Sequence, residues 1–437
     1  MNPRSVALLF KTTFAGLLTG AAIGLVTDLA SRSDVSFGDM TLRGNGALVV
    51  PVLLLPLAIA IGLVVLLKAR GGRAKLFAVP MWPVALIVGV GLAGAGLPSL
   101  RAGAEIGRVN HTATLLSDGR ILVAGGGYDA ATARASLYDP VANQWIPVAD
   151  MNRPRVLHAA VRLSDSRVLV IGGDRFDSPQ SAEIFDPGSG SWTLIDAPRS
   201  IKFSVAVTAL PDGRIVAAGS ATGGGEVSAE IYDPRSGSWQ AFASLPSLRQ
   251  MLALQTIGSR TILAIGYGEP QAVLISVSDG AVMPFSPVTG GVVAAVPLGQ
   301  QRMLLITGPA HGEGSLATTV IDAASGSKTE IAGPDVRRYD ISAVFIPEQF
   351  VLLSGGNQVS GSPPLGRPVS DAELLDLTTG RWSMIPPMHE ARTGHTYTSL
   401  ADGRVVVIGG GNRSGPLASS EIFDPRTRSW TVAAPMR

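Results

Sequence analysis

Histidine, arginine and glutamate are the residues of this chain that could do chemistry, and their spacing is regular. The 437 residues include only five histidines: His111, His158, His311, His389 and His395. Three of them close an Arg-x-x-His tetrad, as Arg108/His111, Arg155/His158 and Arg392/His395. An imidazole beside a guanidinium could bind an anion or pass a proton. A tetrad that recurs along the chain, however, is expected to serve a repeated unit and not a unique site. Glu183, Glu230, Glu373 and Glu421 also recur, each three residues before an aspartate. They read as repeated hydrogen-bonding groups and not as catalytic acids.

Other chemistries are excluded by residue type. The chain has no cysteine, which removes disulfides, Cys-ligated zinc, iron–sulfur clusters and a thiol nucleophile. Gly223-Gly224-Gly225 is not followed by the Gly-Lys-Ser/Thr of a phosphate loop, and neither a Gly-x-Ser-x-Gly elbow nor His-Glu-x-x-His is present. No catalytic residue, metal site or cofactor is expected. The non-repeated candidates are His311, Arg337-Arg338-Tyr339, and Arg367 in a long loop, 357–371, that carries three prolines.

The elements that must position these residues repeat every 47 residues or so. Trp145, Trp192 and Trp239 are spaced by 47, and Trp382 and Trp430 by 48. Seven units begin near 107, 154, 201, 250, 290, 340 and 394, and a period in this range means stacked units that bury one another's faces. Each unit reads as four short strands. In the first, a strand near 111–116 meets the Asp118-Gly119 hairpin turn, and Ile121–Ala124 then runs into Gly125-Gly126. Ala135–Tyr138 ends at Asp139-Pro140, and the fourth strand carries Trp145. Double glycines recur at Gly172-Gly173, Gly355-Gly356 and Gly409-Gly410.

This grammar resembles the kelch repeat, whose marks are a double glycine, a spaced aromatic and a tryptophan. The resemblance implies an all-β propeller of kelch type, with seven four-stranded blades, over residues 102–437. Units four and five depart from it, with Gly266-Tyr267-Gly268 and a lone Gly308 and no tryptophan. Kelch propellers include enzymes and protein-interaction modules, so the resemblance names no reaction. Copper chemistry resembling that of galactose oxidase would need a Cys–Tyr crosslink, and no cysteine is available for one.

Residues 1–101 differ in kind. Three stretches, about 6–27, 47–67 and 78–97, are apolar and near the ~20 residues that cross a bilayer as helix. This region holds nine Lys/Arg against three Asp, so the basic pI reads as a membrane-topology signal and not as a nucleic-acid one. The loop 68–75 carries four positive charges and no acid, which places it and the N-terminus in the cytoplasm and the propeller outside, periplasmic or extracellular. Small residues at 16, 20 and 24 and at 85, 89 and 93 give close-packing helix faces.

The combined expectation is a multi-pass protein of the cytoplasmic (inner) membrane whose non-catalytic propeller presents a surface to a protein partner or anionic ligand. The connections between blades carry Arg155, Arg199, Arg249, Arg337, Arg338 and Arg392, expected as a ring of positive charge on the membrane-facing mouth, with Tyr339, Arg367 and His311 beside it. The alternatives are a carbohydrate-active enzyme with an Arg/His-lined mouth, or an accessory subunit of a membrane complex.

Overall fold

Runs such as Ile121–Ala124, Val168–Ile171 and Val405–Ile408 have no polar face, and in the computed structural model every residue of them is buried. The structure describes residues 34–37, 40–43 and 107–436, apart from 128–129, 174–180, 222–224, 267–271, 286–290, 300, 309–314, 323–324, 348 and 361–364. The three apolar stretches lie outside the described residues, among which no helix is long and apolar enough to cross a membrane. By contact the chain divides into Met1–Ala102 and Gly103–Arg437. In the first unit, Asp34–Phe37 pairs antiparallel with Met40–Arg43.

The second unit is a propeller of seven four-stranded antiparallel sheets. Blade one runs through Thr112–Leu115, Ile121–Ala124, Ala135–Asp139 and Gln144–Pro147. The pattern begins again at Ala159, Phe203, Met251, Val292, Ser342 and Thr396. Blades four and five, irregular in sequence, are complete in structure. The second strand of each blade is covered on both sheet faces by its neighbours, which is why it is apolar throughout instead of alternating. Seven separate apolar clusters result, each formed across one blade boundary.

The five tryptophans among the described residues sit on the outermost strands and reach the preceding blade. The indole N–H groups of Trp145, Trp192, Trp239 and Trp430 donate to the carbonyls of Ala434, Ala149, Asp196 and Pro386, each at 2.8 Å. Each ring packs on the aromatic opposite it in its own blade, Tyr138, Phe185, Tyr232 or Phe423, with centroids 5.0 Å apart. In blade six Leu375 stands opposite Trp382, whose N–H finds Thr318 Oγ1 at 3.2 Å.

Among the described residues no strand is shared between the first and last blades, which meet through packing and hydrogen bonds. Ile121, Val123 and Tyr138 pack with Leu400, Val406, Ile408 and Met436. Asn143 Oδ1 accepts from both Tyr138 Oη and the Ala434 amide at 2.8 Å. The first and last segments meet on blade seven: Arg108 N–H donates to Leu417 O at 3.1 Å, and Met436 N–H to Ala418 O at 2.8 Å.

Trp430 is 9% exposed whereas Trp192 is partly exposed. Trp430→Ala is expected to cost about 3–5 kcal/mol, as large-to-small core changes do, and Trp192→Ala roughly half of that. Denaturant unfolding of the two variants tests the order; a larger loss at Trp192 would mean that the boundary between blades one and two carries more of the fold than its burial indicates.

Candidate functional site

The Arg-x-x-His segments lead into the first strands of blades one, two and seven, and Arg338 stands at the same place before blade six. Arg155, Arg338 and Arg392, expected on an open mouth, are instead 0–1% exposed, as is Arg108. Each guanidinium enters its own blade. Arg155 donates to Gly172 O, Ser181 O, Ser181 Oγ and Glu183 Oε1, at 2.8–3.0 Å. Arg338 donates to Gly355 O, Asp371 O and Glu373, and Arg392 to Gly409 O, Ser419 O, Ser419 Oγ and Glu421 Oε1. The same arginines' carbonyls accept from the preceding blade's second glycine: Gly126 N–H to Arg155 O, Gly356 N–H to Arg392 O and Gly410 N–H to Arg108 O, at 2.8–2.9 Å. One residue thereby joins two blades.

The recurring glutamates complete the joint. Glu183 accepts from the amides of Asn152 and Arg153, Glu373 from those of Asp335 and Val336, and Glu421 from those of His389 and Glu390. Each thus fixes the connection entering its blade, consistent with a hydrogen-bonding role. The double glycines are explained by the same joint. A Cβ on Gly125, Gly355 or Gly409 would fall 2.5–2.8 Å from the next blade's histidine ring, and all three have φ of 60–67°.

Those histidines are buried as well. Nε2 of His111 lies 2.9 Å from Thr396 Oγ1, and that of His158 lies 2.9 Å from Thr112 Oγ1, each partner in the preceding blade. Ser342 stands at the matching strand start for His395, which instead meets Tyr397 edge-on with centroids 4.7 Å apart. Burial, and next the adjacent arginine, brings all three imidazoles down to about 3. They are neutral at physiological pH.

The joint is not uniform. Blade one has Ser136 where a glutamate would stand, and burial, followed by Arg134, lowers Arg108 to about 10 against the pull of Asp150. Blade three keeps Glu230, which accepts from Ser200 N–H, but Lys202, at the arginine's repeat position, is exposed. The third strands of blades four and five contain no glutamate.

Of the remaining candidates, Arg199, Arg249, Arg337 and Arg367 are exposed. Arg249 lies over its own connection and donates to Pro246 O at 2.7 Å. Tyr339 pairs by backbone with Asn357, and a Cβ on Gly366 would meet its hydroxyl at 1.8 Å. His311 lies outside the described residues. Of the six arginines expected as a ring of positive charge, Arg155, Arg338 and Arg392 are thus buried in the joints, and Arg199, Arg249 and Arg337 are exposed. The long loop is in part a hairpin, Asn357–Ser360 paired with Leu365–Pro368, and it stands beside a shorter one in blade seven, Gly411–Asn412 paired with Gly415–Pro416. Sequence reasoning missed the shorter hairpin. It also missed a repeated left-handed position two residues after the arginine, at Asn110, Leu157, Ser204, Asp340 and Gly394, with φ of 49–63°. The signal was there: three of those five residues, Asn110, Asp340 and Gly394, are types that tolerate this conformation.

This arrangement defines a class: a propeller whose blades are joined by a buried arginine, a glutamate and a double glycine. Residues 108–152 and 392–437 match the family model described as Kelch motif. The chain is a kelch-repeat β-propeller. It is 38% identical over 76 residues to an F-box/kelch-repeat protein of Arabidopsis thaliana, covering 17% of this chain and 20% of that protein. It is 31% identical over 96 residues to Kelch-like protein 26 of Mus musculus, covering 22% and 16%. The matched segment is thus a fifth or less of either relative. Among solved structures, a fungal alcohol oxidase of the AA5 family in complex with copper is similar over 76% of this chain and 66% of its own, with TM-score 0.40 and 18% identity. YjhT is similar over 75% and 98%, with TM-score 0.48 and 12% identity.

Two predictions follow from the joint. Removing one partner of a buried ion pair strands the other, so Arg155→Met should cost about 3–5 kcal/mol, and Arg155→Met/Glu183→Leu should recover much of that. Arg249→Met, on the surface, should stay within about 0.5 kcal/mol. Denaturant midpoints check both. The histidines, lowered in the folded state, contribute stability that is present above their unfolded value of about 6.5 and lost as pH falls toward 3. At pH 5 each should have withdrawn about 2 kcal/mol, and His158→Gln should flatten the fall between pH 6.5 and 5. An unchanged slope in that variant would mean that His158 takes up its proton in the folded blade.

Proposed function

We propose that this kelch propeller is a non-catalytic binding module, anchored in the cytoplasmic membrane and displayed on its outer side, that presents the face of the inter-blade connections to a protein partner. The observation that carries this reading is the fate of the repeated arginines, histidines and glutamates. Those described in the blade joints are buried within the fold, so the groups left facing solvent, Arg199, Arg249 and Arg337 on the connections and Arg367 on the blade-six hairpin, differ from blade to blade. A rigid scaffold with varied connections suits recognition. The enzyme alternative drew on an Arg/His-lined mouth, and three of its arginines and three histidines are interior. Anchoring is supported by the three apolar stretches and by the four positive charges of 68–75.

A reporter active only outside the cytoplasm should work when fused after Arg437 and fail when fused within Gly71–Arg73. The reverse pattern would overturn the orientation. Purification in mild detergent should retain a stoichiometric protein, lost on charge reversal of exposed connection residues such as Arg337→Glu; a small molecule retained in its place would overturn the protein-partner reading.

A further inference from the structure

We propose that Asp279, in the Asp279-Gly280 turn of blade four, is a site of spontaneous isomerisation to isoaspartate, and that an arginine two residues after the aspartate guards the chain's other Asp-Gly turns against the same change. The chain has four Asp-Gly pairs, beginning at Asp118, Asp212, Asp279 and Asp402. In such a pair the glycine nitrogen attacks the aspartate Cγ. A C–N bond forms, and the amide proton and the carboxyl O–H leave together as water. Water then opens the resulting succinimide ring at either carbonyl. Opening at the α-carbonyl restores the lost water and routes the main chain through Cβ, with no change in composition. Glycine favours the attack because it has no Cβ in the way.

Three of the four carboxylates are held. Arg120, Arg214 and Arg404 each close on the aspartate two residues before them. The backbone N–H donates to Oδ1 at 3.0 Å, Nε donates to Oδ2 at 2.8 Å, and Nη2 lies 2.6–2.8 Å from the same oxygen. Arg167 clamps Asp165, before Ser166, in the same way. To react, a clamped carboxyl must leave its charge-assisted hydrogen bonds. At Asp279 the corresponding residue is Ala281. Its amide donates to Asp279 Oδ1 at 3.2 Å, and hydrogen bonds from the Ser276 hydroxyl and then that amide hold the carboxyl below the ordinary aspartate range. None of these partners is a cation. The glycine amides do not separate the four turns. Gly119, Gly213 and Gly403 donate to Leu116, Leu210 and Leu400 O at 3.0–3.2 Å, and Gly280 to Ser276 O at 2.9 Å.

The unguarded turn is also one where the change is felt. A Cβ on Gly280 would meet Phe242 O, on the outer strand of blade three, at 2.1 Å, whereas one on Gly119 or Gly403 would meet nothing within 4 Å. Phe242, Val277 and Val282 pack on the apolar cluster between blades three and four. This packing bears on the glycine and leaves Asp279 exposed. A backbone atom added at 279 therefore presses on that boundary.

The test ages the full chain in detergent at mildly acidic pH, where the carboxyls are partly protonated, and reads isoaspartate at each site by electron-transfer fragmentation of its peptides. An exposed ion pair slows a step that must break it by up to about fivefold, so isoaspartate should accumulate about fivefold faster at Asp279 than at Asp118, Asp212 or Asp402. Arg120→Ala should raise the rate at Asp118 by about that factor and leave the other three sites alone, and Ala281→Arg should slow Asp279 to match the guarded sites. The form carrying isoaspartate at 279, separated by ion exchange, should unfold at lower denaturant than the parent. A rate at Asp279 no faster than at the clamped sites overturns the proposal. A rise at all four sites in Arg120→Ala would mean that the arginine acts by holding the fold, and overturns the guard. An unshifted midpoint overturns the effect on the blade boundary.

Discussion

The propeller depends on a buried cation that belongs to two blades at once. The arginine backbone accepts from the glycine of one blade, and its side chain satisfies carbonyls and a glutamate in the next. Burying a guanidinium is tolerable only when its charge is compensated, and here its terminal nitrogens donate to carbonyls, hydroxyls and a glutamate at the ends of the blade's strands. The glutamate in turn accepts amides of the connection that delivers the arginine. Chain path and charge pairing therefore fix one another.

The departures from the joint follow the energetics of buried ion pairs. Such a pair can be exchanged for apolar contacts with little loss, whereas half of one is costly to leave alone. Blades four and five lack the buried pair and rest on apolar clusters that include Leu254, Ile262, Leu304 and Ile306. Blades one and three keep one half each. Arg108 is compensated by Ser136 Oγ and the carbonyls of Val123 and Arg134, and Glu230 by the Ser200 amide. The irregular units are thus stable versions of the same blade, built from a different set of contacts.

What could be read in the sequence is what repeats locally. The tryptophan interval, the Asp-Gly turns and the double glycines each encode a short-range requirement, and together they give blade number and strand order. The direction of Arg155 could not be read, because it depends on Glu183, 28 residues later, and on glycines across a blade boundary. Arg199 and Arg249 occupy similar connections and lie outside, so residue type alone does not separate a joint from a surface charge. Ring closure was equally hidden, since Asn143 and Ala434 meet across 291 residues. The three apolar stretches lie outside the described residues, and His311 does too.

The two ends of the propeller are fastened to consecutive residues, Leu417 and Ala418. Mechanically this is a short circuit. A pull applied between residue 107 and residue 436 loads two neighbouring backbone hydrogen bonds on blade seven before it loads the other six blades. The seam would give way first, as a split ring does, and the remaining sheets could slacken and reclose without each being unravelled. A fold that closes without a shared strand gains, in exchange for a weaker seam, a place where strain is relieved locally.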